Sequence, residues 1–124
     1  MLNDEPKTRD LKVRTKNFAL RVIRLYTALE TSGPAGIIGR QLLRCGTSVG
    51  AQYREAARSR STAEFVSKIE CATQELDEAV YWIELLIEAK LIKEPLIRDL
   101  KTEAEELLRT FVASAKTAKK KRSE

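Results

Sequence analysis

Phe65, Ile69, Ala72, Leu76, Ala79, Ile83 and Leu86 follow one another in alternating steps of four and three residues, and that spacing leaves few folds open. Steps of three and four hold apolar side chains on one seam of an α-helix, whereas a strand would throw them to both faces. A helix with one apolar seam gains most of its stability by burying that seam, so the segment calls for helical neighbours.

The rest of the chain supplies them. Leu11, Phe18, Val22, Leu25 and Leu29 fall in one angular sector and predict a first helix, which stops at Thr31-Ser32-Gly33-Pro34. Glycine suits a helix end, and proline suits the first position of the next helix, where its missing N–H costs nothing. A second helix is therefore expected from Pro34, with Ile38, Leu42, Val49, Tyr53 and Ala56 facing inward and the pattern fading at Arg58-Ser59-Arg60. Ser61 and Glu64 form a capping box that opens the third helix: Ser61 takes a free N–H of the first turn and Glu64 reaches back to the cap. That helix is expected to run to about Lys90. Glu94-Pro95 restarts the chain, and Leu96, Leu100, Ala104, Leu107, Phe111 and Ala115 make a fourth stripe that fades into the basic run Lys116 to Arg122. Helices of ~20 to 28 residues joined by very short connections must pack as antiparallel neighbours. The expected fold is all-α, an antiparallel up-down-up-down four-helix bundle over residues 1–116, with a basic C-terminal tail over 117–124.

Composition narrows the function classes. At 124 residues the chain suits one domain, and 43% hydrophobic with 33% charged residues supports a packed core. No stretch is apolar enough for a membrane span. Cys45 and Cys71 lie far apart without metal-type spacing, and no signal peptide precedes them, so free thiols in a reducing cytoplasm are expected. There is no histidine for acid–base work, no glycine-rich phosphate loop and no Glu-x-x-His of the kind di-iron bundles use. A binding protein is expected: no catalytic residues, no metal and no cofactor.

Three sets of residues exceed what a bundle needs. Tyr81, Trp82 and Leu85 lie off the core seam of helix three, and Val13, Leu20 and Ile23 lie off that of helix one, which predicts an interface between copies of the chain. Gly39, Gly46, Gly50 and Ala57 form a row of small residues on helix two. Each glycine there costs ~1 kcal/mol relative to alanine, so close approach of a neighbouring backbone is expected in return. Opposite that helix's core, Arg40, Arg44, Arg54 and Arg58 fall on one line. Arginines so placed either fork onto phosphate oxygens or pair with carboxylates, and helix three offers Glu70, Asp77, Glu84 and Glu88, with Glu75 and Glu78 beside them. With Lys119, Lys120, Lys121 and Arg122 they form a candidate nucleic-acid surface, in a chain with 23 Lys and Arg against 18 Asp and Glu. A scaffold that docks another protein is the alternative.

The stretch Gln41 to Ala56, followed by Phe65, Lys68 and Glu75 to Trp82, resembles the bacterial four-helix bundles called 23S rRNA intervening-sequence proteins. The resemblance runs from Leu11 into helix four. Members of that family are similar in fold to the accessory variability determinant of diversity-generating retroelements. The resemblance thus implies a homopentamer, RNA or DNA binding, and a reverse transcriptase as a protein partner. It also marks Arg44, Ser48, Gln52, Glu55, Lys68, Glu75, Glu78, Tyr81 and Trp82 as motif positions, expected to form a buried polar network between helices two and three. The family's Ser-x-Gly-Ala-Asn stands here as Ser48-Val-Gly-Ala-Gln52, which keeps the amide but lengthens it by a methylene.

Overall fold

The computed structural model describes the backbone of residues 5–123 and the side chains of 11–123. Four helices follow in order: α1 (Glu5–Ala28), α2 (Pro34–Ala57), α3 (Thr62–Glu88) and α4 (Glu94–Ser123). They form the expected all-α bundle, each packing on its neighbours in sequence, with α1 and α4 meeting along a narrower seam that closes the ring.

Turn chemistry sets the breaks. Gly33 takes φ 80°, a left-handed conformation open to glycine, and Pro34 begins α2. Gly36 then lies so close to the Thr31 carbonyl that no Cβ fits between them, which folds the α1–α2 turn tightly against α2. Ser61 Oγ accepts the Glu64 amide at 3.1 Å, as a cap should. The Glu64 carboxylate reaches one residue further back than expected and accepts the Arg60 amide at 2.7 Å. At its other end α3 stops at Glu88, within two residues of the expected end near Lys90. Lys90 is left-handed at φ 58°, Leu91 N–H donates to the Leu86 carbonyl and Lys90 N–H to that of Ile87, a Schellman motif.

Every residue of the α3 heptad is fully buried except Phe65, which is half-buried. Phe18, Val22, Leu42, Val49, Leu107 and Phe111 meet it, and Tyr53 stacks on Phe111 across the bundle at 5.8 Å between ring centroids. Cys45, on the inner edge of α2, is fully buried as well. One core expectation and one helix end are corrected. Ile97 is buried where Leu96 was expected, and Leu96 is 72% exposed; Pro95 occupies the first turn, and a one-residue shift of phase brings Ile97 inward. The basic run does not leave the helix, for α4 continues through Ser123.

The glycines of the row receive mainly side chains of α1 and of Leu29 just after it, and at Gly50 the α1 backbone also comes close, with the Thr15 carbonyl carbon 3.6 Å from where a Cβ would lie. A Cβ on Gly46 would lie 3.0 Å from Val22 Cγ2, and one on Gly39 would lie 2.8 Å from Leu29 Cδ1. At Gly50 the neighbour is the Thr15 hydroxyl, 3.2 Å away; Thr15 is fully buried and donates to the Leu11 carbonyl at 2.7 Å. Replacing the small residues would push α1 off the bundle.

Candidate nucleic-acid interface

The arginine line on α2 splits. Arg44 is held by α3, with Nη2 2.9 Å from Glu78 Oε1 and Nη1 3.6 Å from Glu75 Oε1. The second distance is that of an ion pair, not a hydrogen bond, and Glu75 Oε1 is otherwise an unsatisfied buried oxygen. Arg40, Arg54 and Arg58 are exposed and have no ion-pair partner among the described residues. Lys119 is likewise committed, its Nζ 2.6 Å from Glu70 Oε2, while Lys120, Lys121 and Arg122 on the same helix project into solvent unpaired among the described residues. The ion-pair reading therefore holds for Arg44 and Lys119. For the other six residues a free cationic surface remains.

Two members of the acidic line of α3 serve α4 rather than α2. Glu70 pairs with Lys119 and Glu84 with Lys101, whereas the carboxylates that meet α2 are Glu75 and Glu78. Of the polar motif positions, Glu55 and Lys68 pair at 2.8 Å, and the Glu55 hydrogen bond pushes the Lys68 ammonium pKa up. Ser48 Oγ donates within its own helix to the Arg44 carbonyl at 2.9 Å. The expected buried network is thus a half-exposed seam of ion pairs.

The outward apolar residues occupy two faces. On α1, Val13 is 55% exposed, Leu20 40% and Ile23 41%; on α3, Tyr81 is 54% exposed. Trp82 differs from expectation, for its ring packs against the core and its Nε1 is buried without an acceptor among the described residues. It meets the Tyr81 ring edge-on at 5.0 Å, and Leu85 is half-buried.

Sequence reasoning misses what gathers at one end of the bundle. The turn after α2 and the end of α4 share a cleft of ≈ 600 Å³ that brings Arg60 and Lys121 to one place. Arg109 lies in the neighbouring cleft between α1 and α4. In the sequence Arg60 marks only the end of a fading pattern, and nothing in the chain order joins it to Lys121. Among the described residues no group of three or more Cys, Asp and Glu is arranged to hold a metal ion. No helix is long and apolar enough to cross a membrane among the described residues.

Residues 9–113 match the family described as 23S rRNA-intervening sequence protein. The chain belongs to that family. A solved member of the S23 ribosomal protein family, a protein of unknown function from Bacteroides thetaiotaomicron VPI-5482, is 32% identical to it and superposes with a TM-score of 0.79. The likeness covers 86% of this chain and 98% of that one. No curated protein matches the chain. The Gln41–Ala56 and Glu75–Trp82 blocks lie within that match, on α2 and α3, the two helices joined by the Arg44 and Lys68 ion pairs.

Proposed function

We propose that this family member is a non-enzymatic, cytoplasmic bundle that assembles with copies of itself and binds nucleic acid, RNA in the first instance, through a basic surface. The observation that carries this reading is the meeting of Arg60, in the turn after α2, with Lys121 of α4 at one cleft, flanked along the chain by Arg54 and Arg58 on one side and by Lys120 and Arg122 on the other. All six are exposed, and none is paired with a carboxylate among the described residues. Unpaired cations crowded together lower their mutual repulsion by attracting polyanions, and the release of counterions from the polyanion drives binding. The family description favours RNA as the partner.

Assembly strengthens the surface. Within the bundle α1 and α3 each pack on α2 and α4 rather than on one another, so the Val13–Leu20–Ile23 patch and the Tyr81 patch look in different directions. Two unlike patches pair head to tail, a geometry that closes into a ring when the rotation from one subunit to the next divides a full turn. Five subunits is the count the family resemblance implies, and a ring repeats the basic end once per subunit. A reverse transcriptase is the protein partner the same resemblance implies. The exposed Tyr81 ring beside Trp82 favours a second reading, a protein-docking module without nucleic-acid binding.

Binding of labelled, unrelated RNA and DNA oligomers across a salt series separates the two. Each phosphate contact contributes about −0.7 to the slope of log affinity against log salt for single strands and about −0.9 for duplex. Arg54→Ala and Arg58→Ala should each flatten the slope by roughly one contact, whereas Arg44→Ala, which breaks an ion pair, should leave it unchanged. An assembled wild type that binds neither oligomer at low salt would replace this reading with the docking module.

A further inference from the structure

Two surface clefts adjoin beneath the last turns of α4. One, ≈ 800 Å³, lies between α1 and α4 and carries Arg109; the other, ≈ 600 Å³, lies against the α2–α3 turn and carries Arg60. Phe65, Ala118 and Lys121 line both, so the clefts run together as one groove across the end of the bundle. Phe65 lies where the two clefts meet. Phe65 heads the α3 heptad yet is the one heptad residue left half-buried, and it shares the lining of both clefts with the small Ala118 of α4.

The charges along this groove are nearly all of one sign. Arg60, Arg109 and Lys121 have no ion-pair partner among the described residues. The one carboxylate among the described lining residues, Glu106, is already engaged by Arg14 at 3.5 Å. A groove with cations on its rim and an aromatic face at its middle fits a single nucleic-acid strand: the rim takes consecutive phosphates and the ring takes an unstacked base. A duplex offers phosphates but keeps its bases stacked inside, so it can use the rim and not the ring.

We infer that this groove is a single-strand binding path, with Phe65 as the stacking platform and Arg60, Arg109 and Lys121 as phosphate contacts. The inference rests on the nucleic-acid reading above and deepens it by naming the site and the form of the ligand. It sets the line of Arg40, Arg54 and Arg58 apart as the outer approach, and the groove as the place where a strand is gripped.

The test compares fluorescein-labelled dT15 with a hairpin duplex of similar charge, by anisotropy at low salt, on the full chain. Wild type should bind dT15 at least about tenfold more tightly than the duplex. Phe65→Leu should lower dT15 affinity about tenfold and move duplex affinity less than about twofold, and Phe65→Tyr should restore the preference, as expected when one base–ring stack of ~1–3 kcal/mol is lost and regained. Arg60→Ala and Lys121→Ala should each flatten the dT15 salt slope by about 0.7. Both lie at exposed positions, so their slopes decide the matter if Phe65→Leu fails to fold by circular dichroism. Equal affinity for both probes, or variants that bind dT15 as wild type does, would overturn the inference and leave the broader nucleic-acid reading standing. Absence of binding to either probe, and to an RNA strand of the same length, would overturn both.

Discussion

Lys90 and Cys45 show how single positions are set by their surroundings. Lys90 holds a left-handed conformation that costs a non-glycine residue ~1 kcal/mol or more, and it does so because the Schellman bonds of Leu91 and Lys90 to α3 satisfy two terminal carbonyls. Lys90→Gly should therefore stabilise the fold by about 0.5 kcal/mol after its extra unfolded-state freedom is counted, and raise Tm by a degree or two in a thermal melt. Cys45 is a fully buried thiol on α2, and burial pushes its pKa from the ordinary 9.0 up to about 11. In the unfolded chain the thiol ionises near 9.0 and in the folded chain it stays protonated to about 11, so the folded state holds the extra proton. The stability this contributes is fully present below about pH 9 and is lost as pH rises from about 9 to about 11. Tyr53 is pushed the same way by burial. Cys45 is therefore isolated by a difference: between about pH 8 and pH 11, Tm of the wild type should fall further than Tm of Cys45→Ala. Parallel curves for the two proteins would mean that Cys45 ionises alike in both states.

Between helices, the ion pairs divide by geometry. Arg14 grips Glu103 with two hydrogen bonds, Nε to Oε2 at 3.1 Å and Nη2 to Oε1 at 3.0 Å, with both side chains about four-fifths buried in the α1–α4 seam. Arg44 and Glu78, joining α2 to α3, are each about half exposed. Exposed pairs are worth ~0.2–1 kcal/mol, and a forked, partly buried pair exceeds them. Double-mutant cycles should give a coupling of ~1–2 kcal/mol for Arg14–Glu103 and well under ~1 kcal/mol for Arg44–Glu78. Equal couplings would show that the fork and its burial add nothing over an exposed pair. The α3 acids are readable in the sequence as a stripe, but which helix they serve is not. Glu70 and Glu84 turn to α4 because α3 sits between α2 and α4, and only packing reveals that their side of α3 faces Lys119 and Lys101.

For the whole molecule, head-to-tail assembly makes a mass prediction. Light scattering at micromolar concentration should give a closed multiple of the 14.0 kDa chain. Leu20→Glu on α1 and Tyr81→Glu on α3 should each lower that mass on its own, since either change removes one half of every contact, and neither should disturb the fold because both residues are exposed. A monomeric wild type ends the proposal of a ring. An unchanged mass in both variants places the contact elsewhere, with Leu96 and Val112 of α4, 72% and 42% exposed, the next apolar positions to probe.

The amino-acid order alone determined the four helices, their approximate ends and the α3 seam, because periodicity, Gly33-Pro34, Ser61 and Pro95 act within a few residues of chain. It also marked the Arg40-to-Arg58 line and the outward apolar residues, since helical geometry places side chains around one axis without reference to neighbours. What it left open depended on which surfaces meet. Only the tertiary structure committed Arg44 to Glu78 and Lys119 to Glu70, chose Ile97 over Leu96, and drew Trp82 against the core. Only it brought Arg60, Phe65 and Lys121, from three separate elements, into one groove. Contacts between residues tens of positions apart follow from how helices pack, and a helix's own period carries no record of its partner's face.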